Sequence, residues 1–367
     1  MNFGRIIDGV YFCDVWGFDH RDYLILVDAV KNKKIYKIIL LMPSEYNFQP
    51  WFQDQQSFDI FLGFCKYYNV ELTCLVGNNI SNEFGYRHDL NMFSENLVPW
   101  ETWFAHQVIC HALTHDLNPY GINANPTKHF VSMNGRAHPH RQMFLDYMYK
   151  EQLFEKGYIS FHNFENRTFD SYKFKWWSPE SLKFDEEFTR PEGGIADILR
   201  PPQHFKNSVF SVICESATDV QFITEKTYIP IYHRRPFVIY GHPLANAYMK
   251  SLGFEIFDDI IDYSFDEIED DEIRCDMYMQ QIKKLTTYNI QYLRDAVQSK
   301  VHHNWLNMLS IVENKKTRKR INKLLPKNSN HFHVHNHLEF LNIASTEGYQ
   351  NKFKFLREHY ENINNRK

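Results

Sequence analysis

The sequence predicts an α/β protein of two Rossmann-like domains that face each other across a cleft, and three observations carry this expectation. Short apolar runs of strand length alternate with longer segments of helical spacing, first over residues 34–117 and again from residue 128 onward. Between the two series lies "LNPYGINANPTK" (Leu117–Lys128), whose two Pro, one Gly and three Asn break the pattern. The stretch "SVFSVICESATDVQFITEKTYIPIYHRRPFVIYG" (Ser208–Gly241) reads as strand, loop, helix and strand, the order of a parallel crossover. A chain of 367 residues is long for one core and comfortable for two.

Taken in order, "KIYKIILLMP" (Lys34–Pro43) and "VELTCLVGN" (Val70–Asn78) suit buried parallel strands. Between them, "FQDQQSFDIFLGFCKYY" places Phe58, Phe61, Leu62, Phe64 and Cys65 at helical spacing. "PWETWFAHQVICHALTHDL" (Pro99–Leu117) reads as an amphipathic helix with proline at its first position. After the linker, "KHFVSMN" is a strand, "HPHRQMFLDYMYKEQLF" a helix and "GYISFH" a strand. Residues 163–203 are aromatic and polar without a clear period, as in a long functional loop. Beyond Gly241, "HPLANAYMKSLGF" reads as a helix, "EIFDDIID" as a strand end with an acidic turn, and Ile268–Leu325 as two long helices. The expected divisions are 1–120, 126–325 and a tail or helix at 326–367.

Composition narrows the class. With 43% apolar and 16% aromatic residues, and 14 Gly against 31 Phe and 22 Tyr, a disordered or fibrous chain is excluded. A net charge of −4 gives no global pull toward nucleic acid or anionic membrane. Six cysteines (Cys13, Cys65, Cys74, Cys110, Cys214, Cys275) are widely spaced, form no CxxC and sit mostly among apolar neighbours. They read as buried free thiols of a reducing compartment. No window approaches ~18 uninterrupted apolar residues, and "MNFGRIIDGVYFCDVWGF" lacks the apolar core of a secretory signal. A soluble, cytoplasmic protein without a membrane span is expected.

Two constellations carry chemistry. In "VSMNGRAHPHRQMFLDYM" a strand gives way to an Asn134-Gly135 turn and a helix opens near Pro139. Backbone N–H groups at such a start favour anions, and Arg136 and Arg141 can add bidentate contacts to phosphate. In "CESATDVQFITEKTY", Glu225 and Lys226 open a helix, where a lysine is poorly placed for the dipole and calls for an anion. A carboxylate beside it can accept from a ribose diol. An isolated Glu-Lys pair is ordinarily solvated; this one follows an apolar strand with Glu215 and Ser216 at its ligand-binding end.

Over residues 129–260 the chain resembles the donor-binding domain of the α-1,3-fucosyltransferases. Those enzymes have a strand ending in Phe-Glu-Asn-Ser, then Tyr-hydrophobic-Thr-Glu-Lys, a helix and a Pro-Val-Val strand. Here Cys214-Glu215-Ser216 stands in place of Phe-Glu-Asn, Phe222-Ile223-Thr224-Glu225-Lys226 matches the second motif, and Pro236-Phe237-Val238-Ile239 matches the last strand. "HFVSMN…HRQMFLDYM" is similar to that family's strand and following helix, whose first arginine contacts the donor pyrophosphate; that role falls on Arg141.

The resemblance implies a GT-B architecture: an acceptor-side domain at 1–120, and a nucleotide-sugar domain at 126–325 holding Asn134, Gly135, Arg136, Glu215, Ser216, Thr224 and Glu225 against the donor. It implies inverting transfer to a hydroxyl, without cofactor or catalytic metal. Arg141 and Lys226 would neutralise the pyrophosphate and Glu225 would bind ribose. The partners expected are a nucleoside-diphosphate sugar, with a GDP-fucose-like donor implied by the resemblance, and a glycan or other hydroxyl acceptor.

The acceptor proton needs a base. Asp14, Asp19, His20, Glu83, His88, Asp89 and Glu95, in and around the polar-aromatic loops "DVWGFDH" and "NEFGYRHD", are the candidates. Two other readings stay open: a DNA-modifying transferase gripping nucleic acid through "KKTRKR" (Lys315–Arg320), and a carbohydrate-binding protein without turnover. "HFHVHNH" (His331–His337) reads as a polar surface strand or loop, with zinc binding as the alternative.

Overall fold

The computed structural model describes residues 4–14, 20–42, 55–76, 97–99, 102–135, 138–161, 172–177 and 203–313, together with 351, 353–355, 357 and 358. The chain forms two compact units, Met1–Cys110 with Ile311–Lys367, and His111–Ser310. Each holds a sheet that is parallel or nearly so, a Rossmann-like α/β arrangement.

The first unit opens with β1 (Gly4–Ile7) and β2 (Val10–Asp14), an antiparallel hairpin. Its two turn residues, Asp8 and Gly9, both have positive φ, as a tight hairpin turn requires. The helix α1 (His20–Lys31) leads to β3 (Lys37–Met42), and α2 (Gln55–Tyr67) to β4 (Glu71–Val76); β5 (Leu97–Pro99) closes the sheet in the order β1-β2-β3-β4-β5, parallel from β2 onward. Alternate residues Ile38 and Leu40 pair in register with Leu72 and Cys74, so one face presents an apolar stripe. Leu26, Ala29 and Val30 of α1 and Phe61 and Cys65 of α2 bury it. Pro99 therefore ends a strand instead of opening a helix, and the helix α3 starts at Trp103 and runs to Thr114. Proline, lacking a donor, is tolerated at such a sheet margin.

In the second unit β6 (Lys128–Asn134), α4 (Pro139–Lys150), β7 (Gly157–Phe161), α5 (Gln203–Lys206), β8 (Ser208–Cys214), α6 (Glu225–Tyr232) and β9 (Phe237–Tyr240) follow one another. The strand order is β7-β6-β8-β9, all parallel. The chain first steps outward from β6 to β7 and then returns to the other side of β6 to lay down β8. The direction of winding thus reverses between β6 and β8, where ligands of doubly wound sheets bind beyond the carboxyl ends. Every residue of β8 is buried, which explains its unbroken apolar run. Gly157 lets β7 approach β6: a Cβ there would lie 2.2 Å from the Phe130 ring.

The C-terminal part of this unit holds α7 (Ala245–Ser251), α8 (Asp271–Leu285), α9 (Ile290–Ala296) and all but the last turn of α10 (Gln298–Glu313). Three helices occupy 271–313 where the pattern suggests two long ones. The extra break falls at Val297, the C-cap of α9, inside a run from Tyr292 that reads as one helix; α9 itself begins where Asn289 caps it by accepting from the Gln291 and Tyr292 N–H groups. "EIFDDIID" forms no strand. Asn304 on α10 exchanges hydrogen bonds with the Glu255 N–H and carbonyl, and the Tyr263 hydroxyl accepts from the Phe257 N–H. Side chains thus satisfy a buried backbone that a fifth strand would otherwise have to pair.

Among the described residues Cys65, Cys74, Cys110, Cys214 and Cys275 are buried and form no disulfide, and no helix is long and apolar enough to cross a membrane.

Candidate functional site

Asn134 and Cys214 end the two strands that flank the switch point. The Glu215 N–H extends the ladder by donating to the Tyr240 carbonyl at 2.9 Å. Its side chain, 0% exposed, then gathers the loop that follows. One carboxylate oxygen accepts from the Thr224 N–H at 3.1 Å and the Thr227 hydroxyl at 2.7 Å. The other accepts from the Thr224 hydroxyl at 2.6 Å and the Ser216 N–H at 3.3 Å. A single carboxylate therefore closes the loop from 216 to 224 and fixes where α6 begins. Expected as a donor-binding group, Glu215 has its carboxylate committed to the protein's own donors.

Thr224 is the N-cap of α6. Its extended backbone turns the chain, and its hydroxyl accepts from the Lys226 N–H at 3.3 Å. The Lys226 side chain folds back over that cap: its Nζ donates to Ser216 Oγ at 2.8 Å, Thr224 Oγ1 at 3.4 Å and Glu225 Oε1 at 3.1 Å. Glu225 and Lys226 are both partly buried. Burial alone would raise the Glu225 carboxyl. The Lys226 ammonium and its hydrogen bond, with the helix-start N–H and the Arg141 guanidinium, outweigh that and hold it below the usual glutamate range. Glu225 is a carboxylate at neutral pH.

Arg141 reaches the same place from the other strand. It sits in the first turn of α4, 3% exposed, and its Nη2 donates to the Glu215 carbonyl at 3.4 Å. It also hydrogen-bonds the Cys214 thiol, whose pKa burial nevertheless pushes up to about 12, so the sulfur stays protonated and non-nucleophilic.

His140, which the sequence reading passes over, packs beside it. Burial, then the Arg141 charge, carry its imidazole down to about 3 against the pull of the Glu215 carbonyl, with His138 and Lys226 acting in the same sense as Arg141. The ring is neutral, so its Nε2 carries the proton donated to the Glu215 carbonyl at 3.1 Å, which leaves Nδ1 as an acceptor. Two side chains of α4 thus clamp the carbonyl at the end of β8. "HPHR" holds both donors, but the signal lies in their shared acceptor, which spacing does not reveal.

Arg141, Lys226, Glu225, Ser216 and Thr224 are brought together by this geometry. Asn134 is buried at the end of β6, where its amide donates to Ser132 Oγ at 3.1 Å while its Oδ1 has no donor among the described residues. Gly135 is exposed, and a Cβ there would meet nothing within 4 Å, so no steric demand explains glycine at this turn. Arg136, Asp19, Glu83, His88, Asp89 and Glu95 lie outside the described residues, as do Lys315–Arg320 and His331–His337. Asp14 closes β2 and His20 opens α1, and both are described at the level of backbone. Among the described residues, no group of three or more His, Cys, Asp or Glu is placed to hold a metal ion.

Chemically, the site is a helix start with an ammonium, a guanidinium and a carboxylate within mutual electrostatic reach on the carboxyl edge of a parallel sheet. Such a set takes a ligand that carries both anionic oxygens and hydroxyls. Comparison with protein-family models, with curated proteins and with solved structures finds no match for the chain.

Proposed function

We propose that the chain is an inverting glycosyltransferase of GT-B architecture, moving a sugar from a nucleoside-diphosphate sugar to an acceptor hydroxyl on a glycan. The observation that carries this reading is the convergence of Arg141 with Glu225 and Lys226 at the switch point between β6 and β8. The motif Phe222–Lys226 and its likeness to the α-1,3-fucosyltransferases support the same reading and suggest a GDP-fucose-like donor.

In the proposed reaction the bond between the anomeric carbon and the diphosphate oxygen breaks, and its electron pair leaves with the nucleoside diphosphate. The acceptor oxygen attacks the opposite face, so the anomeric configuration inverts. Lys226 and Arg141 bear on the charge that develops on the leaving group, where fixed cations lower the barrier most. The diphosphate replaces Ser216, Thr224 and Glu225 as the anchor of the Lys226 ammonium. Glu225, ionised, accepts from the ribose diol, and the unsatisfied Asn134 Oδ1 accepts from a donor hydroxyl. Glu215 and His140 are positioning residues that hold the loop and the α4 start in place. The acceptor proton passes to a base in the first domain, with Asp14, Asp19, His20, Glu83, His88, Asp89 and Glu95 the candidates.

A panel of nucleoside-diphosphate sugars, incubated without acceptor and assayed for free nucleoside diphosphate, tests the reading. Slow hydrolysis of one donor supports it, and activity that survives EDTA is expected because side chains supply the positive charge. Neither binding nor release with any donor would contradict it.

A further inference from the structure

At the opposite, amino-terminal edge of the second sheet lies a charge the proposed activity does not use. Arg235 precedes β9 and is 1% exposed. Its Nη2 donates to Ser208 Oγ at 2.9 Å and to the Val209 carbonyl at 3.0 Å, and its Nε to Ser211 Oγ at 3.3 Å. The guanidinium carbon lies 4.7 Å from the centre of the Phe205 ring. All these partners are neutral, and among the described residues no Asp or Glu pairs with Arg235. Its remaining terminal nitrogen, Nη1, is buried with no acceptor among the described residues.

Tyr120 packs against the Val131–Phe205 pair, and its hydroxyl is likewise buried without a partner. Tyr120 thus packs on the cluster that contains Phe205, the ring over which the Arg235 guanidinium lies. Burial lowers the guanidinium to about 9, against an opposing effect of Tyr120, so it remains a cation at neutral pH. Burial raises the Tyr120 phenol, so that group remains a neutral O–H donor. The other groups here add positive charge: the Lys206 ammonium lies 4.9 Å from the Tyr120 ring centre, and Arg234 Nη2 approaches Gly121.

An uncompensated guanidinium in a low-dielectric interior is costly, and arginine does not relieve the cost by giving up its proton. A water molecule would complete both hydrogen bonds but leave the charge. A small anion answers both at once, accepting from the cation and from the phenol. We propose that Arg235 Nη1 and the Tyr120 hydroxyl form a buried site for one compact monovalent anion of chloride size. The bound ion ties the Leu117–Asn123 segment to the start of β9, alongside the hydrogen bonds from the Gly121 N–H to the His233 carbonyl and from the Tyr232 hydroxyl to the Leu117 carbonyl. This inference does not depend on the proposed transferase activity.

Thermal unfolding of the full chain tests it, with chloride raised from chloride-free buffer at constant ionic strength as gluconate is withdrawn. At about ten times its dissociation constant, a ligand of the folded state raises Tm by ~3–5 °C for a unit of this size. A saturable rise is expected in wild type, with bromide substituting for chloride. In Arg235→Met and Tyr120→Phe the rise should vanish or need at least ~10-fold more chloride, as loss of one charged or neutral donor implies. If Arg235→Met does not fold, Tyr120→Phe decides. No chloride dependence in wild type, or the same dependence in wild type and Tyr120→Phe, would overturn the site.

Discussion

Glu215 and Glu225 are both carboxylates on the same edge, and their surroundings assign them different work. Four protein donors saturate Glu215. Glu215→Gln turns an amide N–H₂ toward groups that themselves donate, so a loss of about 2–4 kcal/mol in folding free energy is expected from thermal or denaturant unfolding. Glu225 is held ionised by Lys226 and can face a ligand. A carboxylate whose folded pKa is depressed contributes stability above the ordinary glutamate range, and that contribution disappears as pH falls through the folded value. Wild type should therefore lose stability on acidification more steeply than Glu225→Gln across and below that range; parallel acid limbs would show that the pair contributes nothing. At this scale Thr224, Glu225, Lys226 and Arg141, which a motif marks in the sequence, lie together in the structure. His140 and the inward turn of Glu215 are not legible in the sequence, because each depends on one carbonyl or one loop closure that appears only when distant segments meet.

Among the elements, α4 organises more than its own packing. Its first turn carries Arg141 and His140, and Asp146, 0% exposed, sits farther along. Asp146 accepts from the N–H groups of Lys175, Trp176 and Trp177 and from the Tyr172 hydroxyl, while Gln142 accepts from the Tyr172 N–H. The segment 172–177, inside what reads in sequence as a long irregular loop, is thus pinned to the helix that carries Arg141. Asp146→Ala should raise amide hydrogen exchange at Lys175, Trp176 and Trp177 by more than ~10-fold while β8 stays protected; unchanged exchange there would remove the clasp. The sequence reading finds β6, β8 and α4 with little error; β8 is an unbroken buried run, and α4 is buried continuously from Arg141 to Met148. It misses the β1–β2 hairpin, although Asp8-Gly9 is a turn signal for it, and it joins α9 to α10 because the break at Val297, the C-cap of α9, does not alter the apolar pattern.

For the molecule as a whole, the two series of strands and helices correspond to two sheets, and every described group of the candidate donor site comes from the second unit. A fragment spanning Leu117–Glu313 keeps that sheet and its covering helices, and we expect it to unfold cooperatively and to retain nucleoside-diphosphate binding. A fragment with no cooperative transition would show that the second unit depends on the first. The base and sugar of the proposed donor, and the proposed acceptor, are not legible at this scale, since loop contacts that would choose them have no period or fixed spacing. The central claim, that Arg141 and Lys226 receive a diphosphate, is tested most directly by calorimetric titration of nucleoside diphosphates into wild type, Lys226→Ala and Arg141→Ala. Wild type should bind one nucleoside diphosphate far better than its nucleoside, and each variant should bind it ~10- to 100-fold more weakly, the equivalent of one charge-assisted contact, while nucleoside binding stays unchanged. Equal affinity of wild type and both variants for every diphosphate would contradict the assignment.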